Sequence, residues 1–180
     1  MIASPAAVLA FWREAGPDRW FKKDEAFDTA IRKRFLATYQ AAADGRLAGW
    51  EATPAGAHAL TIVLDQFPRN MFRGSARAFA TDTLARAVAG RALAQGFDEQ
   101  VVGGERACFY LPLMHSEALA DQERCVALYR ALGDAKSLKY AEEHAAIIRR
   151  FGRFPHRNST LGRDTTAAEQ AFLDGGGFTG

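Results

Sequence analysis

Residues 24–43 read DEAFDTAIRKRFLATYQAAA and carry the clearest fold signal of this 180-residue chain. Phe27, Ile31 and Phe35 recur every four residues, and charged residues stand between them. Because an α-helix has 3.6 residues per turn, this spacing puts the three apolar side chains on one face. The stretch therefore predicts an amphipathic helix that ends at Asp44-Gly45.

Capping signals on both sides of this stretch predict further helices. Ser4-Pro5 and Thr53-Pro54 each place a capping side chain before a proline, which is favoured at the first helical position. Thr81 and Ser137 are predicted as N-caps of two further helices, and two more helices are predicted to begin at Glu105 and Asp121. A T-x-x-E capping box, Thr166 to Glu169, predicts the last helix. No stretch alternates between apolar and polar residues over a strand length. We therefore predict an all-α protein of seven to eight helices, packed as antiparallel pairs because the connections are short.

The composition indicates a single domain over residues 1–180. Hydrophobic residues make up 48% of the chain, and a chain of this length buries a substantial core. The tail, residues 174–180, is predicted to be mobile, with Phe178 as the residue able to fold back.

Net charge, apolar run length and cysteine content bear on the partners and the location expected for the protein. The net charge of +2 comes from interspersed basic and acidic residues, so no clustered basic face predicts a nucleic-acid partner. The apolar run near the N-terminus is too short for a membrane span and predicts a helix instead of a signal peptide. The two cysteines are expected to be free buried thiols of a cytoplasmic protein, with a disulfide as the alternative.

Two histidines fall on apolar faces of predicted helices. His115 is expected on the helix predicted over residues 105–119, which Pro112 kinks, and it is followed by Ser116 and Glu117. His144 lies beside Ile147 and Ile148. Each histidine either marks a site or bonds a carbonyl in the core, and the sequence leaves both interpretations open.

Asp65 and Gln66 lie where the third predicted helix ends. A carboxylate at a helix C-terminus is disfavoured by the helix dipole, so Asp65 is expected to have a cationic partner, Arg69 or Arg73. The alternative to a binding role is an ion pair that fastens the chain locally.

Two segments repeat one pattern: LDQFPRN at 64–70, the first Phe-Pro segment, and RFPHRN at 153–158, the second Phe-Pro segment. In each, the proline is expected to stop a helix and the phenylalanine to anchor the turn. The arginine and asparagine that follow are fork-shaped donors and amides suited to hold a carboxylate or phosphate. They are equally suited to satisfy carbonyls left free at helix ends.

Three long blocks, LDQFPRNMFRGSARAFATD, FYLPLMHSEALADQE and FGRFPHRN, resemble the hallmark blocks of the bacterial "domain of unknown function 924" family. FWREAGPDRWFKKDEAFD and FLDGGGF extend the resemblance over essentially the whole chain. The resemblance implies a right-handed, tetratricopeptide-like superhelix of stacked helix pairs, and it implies no reaction. Its blocks are rich in polar residues, where a plain scaffold would carry small apolar ones.

The first functional hypothesis is a small-molecule or anion site formed where both Phe-Pro segments and the His115 helix meet. Its catalytic candidates are His115, Glu117 and His156, and its ligand-binding candidates are Asp65, Gln66, Arg69, Asn70, Arg73, Arg157 and Asn158. Whether the site is catalytic stays open.

The alternative is a tetratricopeptide-like module that binds a protein or peptide in a groove without catalysis. A metal site has little support because no H-x-x-x-H or E-x-x-H spacing supplies a helical ligand pair, so no cofactor is predicted. The expected partner is a small anionic ligand or a peptide, with no membrane or nucleic acid. Nothing in the sequence predicts an oligomeric state.

Overall fold

A computed structural model describes residues 1–101 and 103–178 of the chain, and this part contains α-helices, 3₁₀ turns and one π turn but no strand. The all-α prediction is confirmed. The described α-helices number ten, more than predicted, because several are short: α1 Pro5–Ala15, α2 Pro17–Trp20, α3 Glu25–Ala43, α4 Pro54–Thr61, α5 Phe67–Met71, α6 Asp82–Ala94, α7 Leu111–Met114, α8 Leu119–Leu132, α9 Ala135–Phe151 and α10 Ala167–Asp174.

Most of the predicted caps are present. The side chains of Ser4 and Thr53 accept hydrogen bonds from the first turns of α1 and α4, and Thr166 with Glu169 completes the capping box of α10. The Asp24 side chain caps α3 in the same way, where no cap was predicted. The prediction for α9 is wrong by one turn. Asp134 caps that helix, and Ser137 supplies the backbone N–H and hydroxyl that bond to the Asp134 carboxylate.

The chain divides into two compact units. Unit 1 comprises Met1–Arg73 and Arg77–Pro112, and unit 2 comprises Gly74–Ala76 and Leu113–Gly180. The single domain stays a prediction. Of the tail predicted to be mobile, residues 179–180 lie outside the described part, while Phe178 does fold back onto histidine rings of unit 2.

Unit 1 is built around closely packed aromatic rings. Phe11 lies 5.5 Å from Phe27 and 5.0 Å from Phe35 between ring centroids, and Phe35 lies 4.9 Å from Phe67. Aromatic pairs at such distances add about 0.5–1.5 kcal/mol beyond their buried area. The helical face predicted from residues 24–43 is therefore the face that α3 buries against the core.

Unit 2 contains an antiparallel helix pair. Helices α8 and α9 are joined at Gly133, whose φ of 76° is the left-handed conformation that ends α8. Arg130 pairs with Glu142, and Arg149 pairs with Glu123, as expected for two helices that run in opposite directions. Both cysteines of the chain are buried free thiols, as predicted.

The first Phe-Pro segment does not end a helix, contrary to prediction. Helix α4 continues through a π turn, Ile62–Gln66, directly into α5. Pro68 has no N–H for the carbonyl of Leu64, four residues earlier. Thr81 stands at the N-cap position of α6, as predicted, but its hydroxyl donates to that carbonyl at 2.6 Å and therefore makes no side-chain capping bond.

The second Phe-Pro segment also differs from prediction, because α9 has already ended when the segment begins. Gly152, with φ of 70°, accepts the left-handed conformation that stops the helix after Phe151. Pro155 then opens a 3₁₀ turn, Pro155–Arg157, and Phe154 is completely buried. The Phe-Pro pair therefore lies in a helix in the first segment and at the start of a 3₁₀ turn in the second.

The helix predicted over residues 105–119 is broken. A 3₁₀ turn, Gly103–Phe109, precedes the short helix α7, and His115 follows α7 in a turn. The buried Gln122 amide donates to the carbonyls of Met114 and Ser116, each at 2.6 Å, and so stabilises the break. No helix in the described part is long and apolar enough to cross a membrane.

Candidate functional site

The predicted site residues fall into two groups, one in each unit. Unit 1 holds Asp65, Gln66, Arg69, Asn70 and Arg73, and unit 2 holds His115, Glu117, His156, Arg157 and Asn158. The joint site of both Phe-Pro segments stays a prediction.

Arg69 is held between two carboxylates. Its Nη1 lies 3.3 Å from Asp65 Oδ1 and 3.0 Å from Asp82 Oδ1, and its Nη2 donates to Asp82 Oδ2 at 3.1 Å. Asp65 is only 1% exposed, so the cationic partner that its position predicts is present. The Gln66 amide donates to the other Asp65 oxygen, which leaves this carboxylate fully engaged inside unit 1.

Asn70 and Arg73 converge on Asp28. Asn70 Nδ2 donates to Asp28 Oδ1 at 2.8 Å, while Arg73 donates to both Asp28 oxygens at 2.5 and 3.0 Å and to the Lys22 carbonyl at 3.2 Å. Sequence reasoning missed Asp28 because it lies more than forty residues away on the polar side of α3. The polar side chains of the first Phe-Pro segment thus bind carboxylates of their own unit.

Glu117 organises the second Phe-Pro segment through the backbone. Its Oε1 accepts from the Phe154 N–H at 2.8 Å, and Arg163 binds both its oxygens at 2.7 and 3.0 Å. Burial alone would raise the pKa of Glu117, but the bonds from Arg163 and Phe154 outweigh it and lower that pKa. Glu117 is therefore a carboxylate that positions Phe154, and Arg163 is a member of the site that the sequence did not single out.

Four rings close into what we term the aromatic cluster: His144, Phe154, His156 and Phe178. Neighbouring ring centroids lie 5.5 Å apart for His144–Phe154, 5.6 Å for Phe154–His156, 5.2 Å for His156–Phe178 and 4.5 Å for Phe178–His144. Three of these pairs have interplanar angles above 60°, the edge-to-face geometry that aromatic quadrupoles favour.

The Arg157 guanidinium lies on the cluster. Its Cζ is 4.5 Å from the centroid of Phe154, and the residue is only 7% exposed. The electron-rich face of an aromatic ring attracts a guanidinium, so this contact helps to stabilise the Arg157 charge in its buried position.

Two buried polar atoms beside this arginine have no hydrogen-bond partner among the described residues: His156 Nδ1 and Asn158 Oδ1. Asn158 is completely buried, and its amide nitrogen makes one long bond, 3.3 Å, to Thr165 Oγ1. Buried polar groups are normally satisfied by protein, water or a ligand, so each such atom requires an explanation.

The histidines of the cluster are neutral at pH 7. Burial lowers the pKa of His144 to about 4. Burial, reinforced by the charge of Arg157, lowers that of His156 to about 4 as well. His144 Nδ1 lies 2.7 Å from the Tyr140 carbonyl, which only accepts, so this nitrogen carries the proton and Nε2 keeps a lone pair.

His115 is half-buried, and its electrostatic interaction with His144 adds to the effects that lower the pKa of His144. No group of three or more His, Cys, Asp or Glu side chains in the described part of the chain is arranged to hold a metal ion.

The comparisons with known proteins identify relatives but no activity. A profile of the family described as "Bacterial protein of unknown function (DUF924)" matches residues 8–177. A solved structure of a protein of unknown function from Agrobacterium tumefaciens is similar, with a TM-score of 0.92 and 46% sequence identity over 95% of this chain and 97% of that one. A search of curated proteins finds no match.

Proposed function

Because the chain belongs to the bacterial DUF924 family, whose function is unknown, we propose a function from its geometry: it binds a small organic anion at the second Phe-Pro segment. The observation that carries this proposal is the nearly buried cation Arg157, which lies on the aromatic cluster beside two neutral imidazoles.

The charges of the site favour an anion. Arg157 and Arg163 both lie near Glu117, whose oxygens are already bonded by Arg163 and the Phe154 N–H. A carboxylate ligand placed beside Arg157 would interact with the cation in a weakly screened environment, where charge-assisted bonds are strong. The unpartnered atoms of His156 and Asn158 would supply further polar contacts.

Binding of an anion should be coupled to proton uptake. The imidazoles of His144 and His156 are neutral because burial and the nearby arginine disfavour their charged forms. A bound negative charge opposes both effects and raises the two pKa values toward neutrality. In the proposed site, His115 and His156 are the groups that exchange a proton with the ligand, and Glu117 positions the segment.

We also propose a cytoplasmic location, because both cysteines are free thiols and free thiols are typical of reducing compartments. The predicted ligand role of the first Phe-Pro segment stays a prediction. A ligand there would have to displace the carboxylates that Arg69 and Arg73 already hold.

Isothermal titration with acetate, malonate and inorganic phosphate, at pH 6 and pH 7.5, tests the proposal. We expect at least one anion to bind, more tightly at pH 6, with a heat that varies with the ionisation enthalpy of the buffer because protons are taken up. Arg157→Gln should weaken binding at least tenfold. Arg130→Gln, the same change in an exposed ion pair of unit 2, should leave it unchanged. If no anion binds, or if both variants behave alike, the proposal is wrong.

A further inference from the structure

One ring of the aromatic cluster comes from the C-terminal tail. His144 belongs to α9, and Phe154 and His156 belong to the second Phe-Pro segment, whereas Phe178 follows three consecutive glycines, 175–177. Without the Phe178 ring, the other three rings would form a slot with Phe154 between two imidazoles. Phe154 is completely buried and His144 is buried, while Phe178 is partly exposed, so the tail ring is more accessible to solvent than these two rings.

The tail is held in a defined path. Helix α10 is fixed at its start by Arg153, which binds both oxygens of Glu169 at 2.6 and 2.8 Å. After the helix, the Gly177 N–H donates to the Phe172 carbonyl at 2.9 Å. A Cβ at position 177 would come within 2.5 Å of that oxygen and 2.6 Å of the Phe172 ring, so only glycine fits there. The position of Phe178 therefore depends on Gly177.

We propose that Phe178 is an internal occupant of an aromatic slot, and that the ligand which replaces it carries an aromatic ring next to a carboxylate. This inference rests on the proposed function. The His144 and His156 rings both lie in edge-to-face geometry with Phe178, and both contact the Phe154 ring, which favours a flat aromatic group over a saturated one. Arg157 on the same Phe154 ring supplies the cation for the carboxylate.

The exchange has a simple thermodynamic consequence. A ligand that competes with Phe178 binds only the fraction of molecules in which the slot is open, and its apparent dissociation constant rises in proportion. If Phe178 occupies the slot for nine-tenths of the time, removing it should tighten binding about tenfold. Gly177→Ala should act in the same direction without altering any ring of the slot, because the tail can no longer follow its path.

The experiment is calorimetric titration of the full chain with phenylacetate, cyclohexylacetate and acetate. It uses wild type, Phe178→Ala, Gly177→Ala and the control Phe21→Ala, which removes an exposed phenylalanine of unit 1. We expect phenylacetate to bind both tail variants about tenfold more tightly than wild type. It should bind better than the other two acids, and the control should match wild type. N-acetylphenylalanine, offered in parallel, distinguishes a free aromatic acid from the C-terminal residue of a peptide as the source of the same chemistry.

The outcomes separate this inference from the proposed function. Equal affinity for all three acids, or no gain in either tail variant, would overturn the aromatic slot while leaving the anion site intact. Binding of no acid to any variant would overturn both. Tighter binding of N-acetylphenylalanine than of phenylacetate would support the slot and assign it to a peptide terminus.

Discussion

The two Phe-Pro segments share phenylalanine, proline, arginine and asparagine, yet they use these residues differently. In the first segment, Arg69 and Asn70 both bind carboxylates. In the second, Arg157 lies on a phenylalanine ring, and the side-chain oxygen of Asn158 has no hydrogen-bond partner among the described residues. The role of a short motif is therefore decided by the groups that the fold brings to it.

The two segments also differ in the balance of arginines and carboxylates around them. Around the first segment, two arginines, Arg69 and Arg73, face three carboxylates, those of Asp28, Asp65 and Asp82. Around the second segment, three arginines, Arg153, Arg157 and Arg163, lie near three carboxylates, those of Glu117, Asp164 and Glu169. Carboxylates outnumber arginines around the first segment (three against two) but not around the second (three against three). Of the two, the second is therefore the more favourable surrounding for an anion.

The largest effect is expected from breaking the buried pair of the first segment. Arg69→Gln leaves Asp65, 1% exposed, without its cation, and the loss of one partner of a buried ion pair costs about 3–5 kcal/mol of unfolding free energy. Arg73→Gln should cost less, about 1 kcal/mol, because its side chain is 35% exposed. Urea denaturation measures both.

A second substitution controls for the first. Asp65→Asn in the Arg69→Gln background removes the uncompensated charge and should restore part of the lost stability. If Arg69→Gln costs less than Arg73→Gln, the pair does not stabilise unit 1, and the contrast between the two segments fails.

Acid should destabilise the protein through its buried histidines. His144 titrates near 6.5 when unfolded and at about 4 when folded, so the unfolded state binds more protons between these values. Stability is fully present above pH 6.5 and falls as the pH drops toward 4, by up to about 1.4 kcal/mol per pH unit for each such group. His144→Gln should flatten the fall, as followed by urea denaturation at pH 7, 6 and 5. An unchanged slope would mean that His144 is protonated in the folded protein.

The class of the fold was predictable because its signals are local. The apolar spacing of α3 and the caps at Ser4, Asp24 and Thr53 each lie within a few residues of the helix that they define. The partner of Asp65 was predictable for the same reason, since Arg69 is one turn away.

Features that depend on distant residues were not predictable. Pro68 stands inside a helix because Thr81, far along the chain, takes the carbonyl that the proline leaves free. The break after α7 depends on Gln122, and the environment of the first segment depends on Asp28. The two segments could thus be recognised as alike in sequence, while the carboxylates that make them differ could not.

The two asparagines provide a smaller and more direct contrast. Asn70→Leu removes a donor from a carboxylate whose side chain is 14% exposed and should cost about 1–3 kcal/mol. Asn158→Leu removes an unpartnered carbonyl and one long bond, so it should cost close to nothing in the absence of ligand. Thermal unfolding of both variants measures the difference. Equal costs would mean that Asn158 is satisfied in the free protein and does not await a ligand.

The smallest effect tests whether an unpartnered buried group marks a site by itself. His58 in unit 1 is 1% exposed, both its ring nitrogens lack hydrogen-bond partners among the described residues, and Glu105 Oε2 lies 3.9 Å from Nδ1. Unlike the unpartnered atoms of the second segment, His58 Nδ1 faces a carboxylate, that of Glu105, which Arg13 already binds. If nothing fills the space, His58→Leu should stabilise unit 1 by about 1 kcal/mol, since it removes a desolvation cost. His58→Gln, which keeps a polar group, should give no gain. If thermal unfolding shows that His58→Leu lowers the stability, a buried water satisfies the imidazole. Unpartnered atoms alone would then be insufficient to distinguish the second segment as a site.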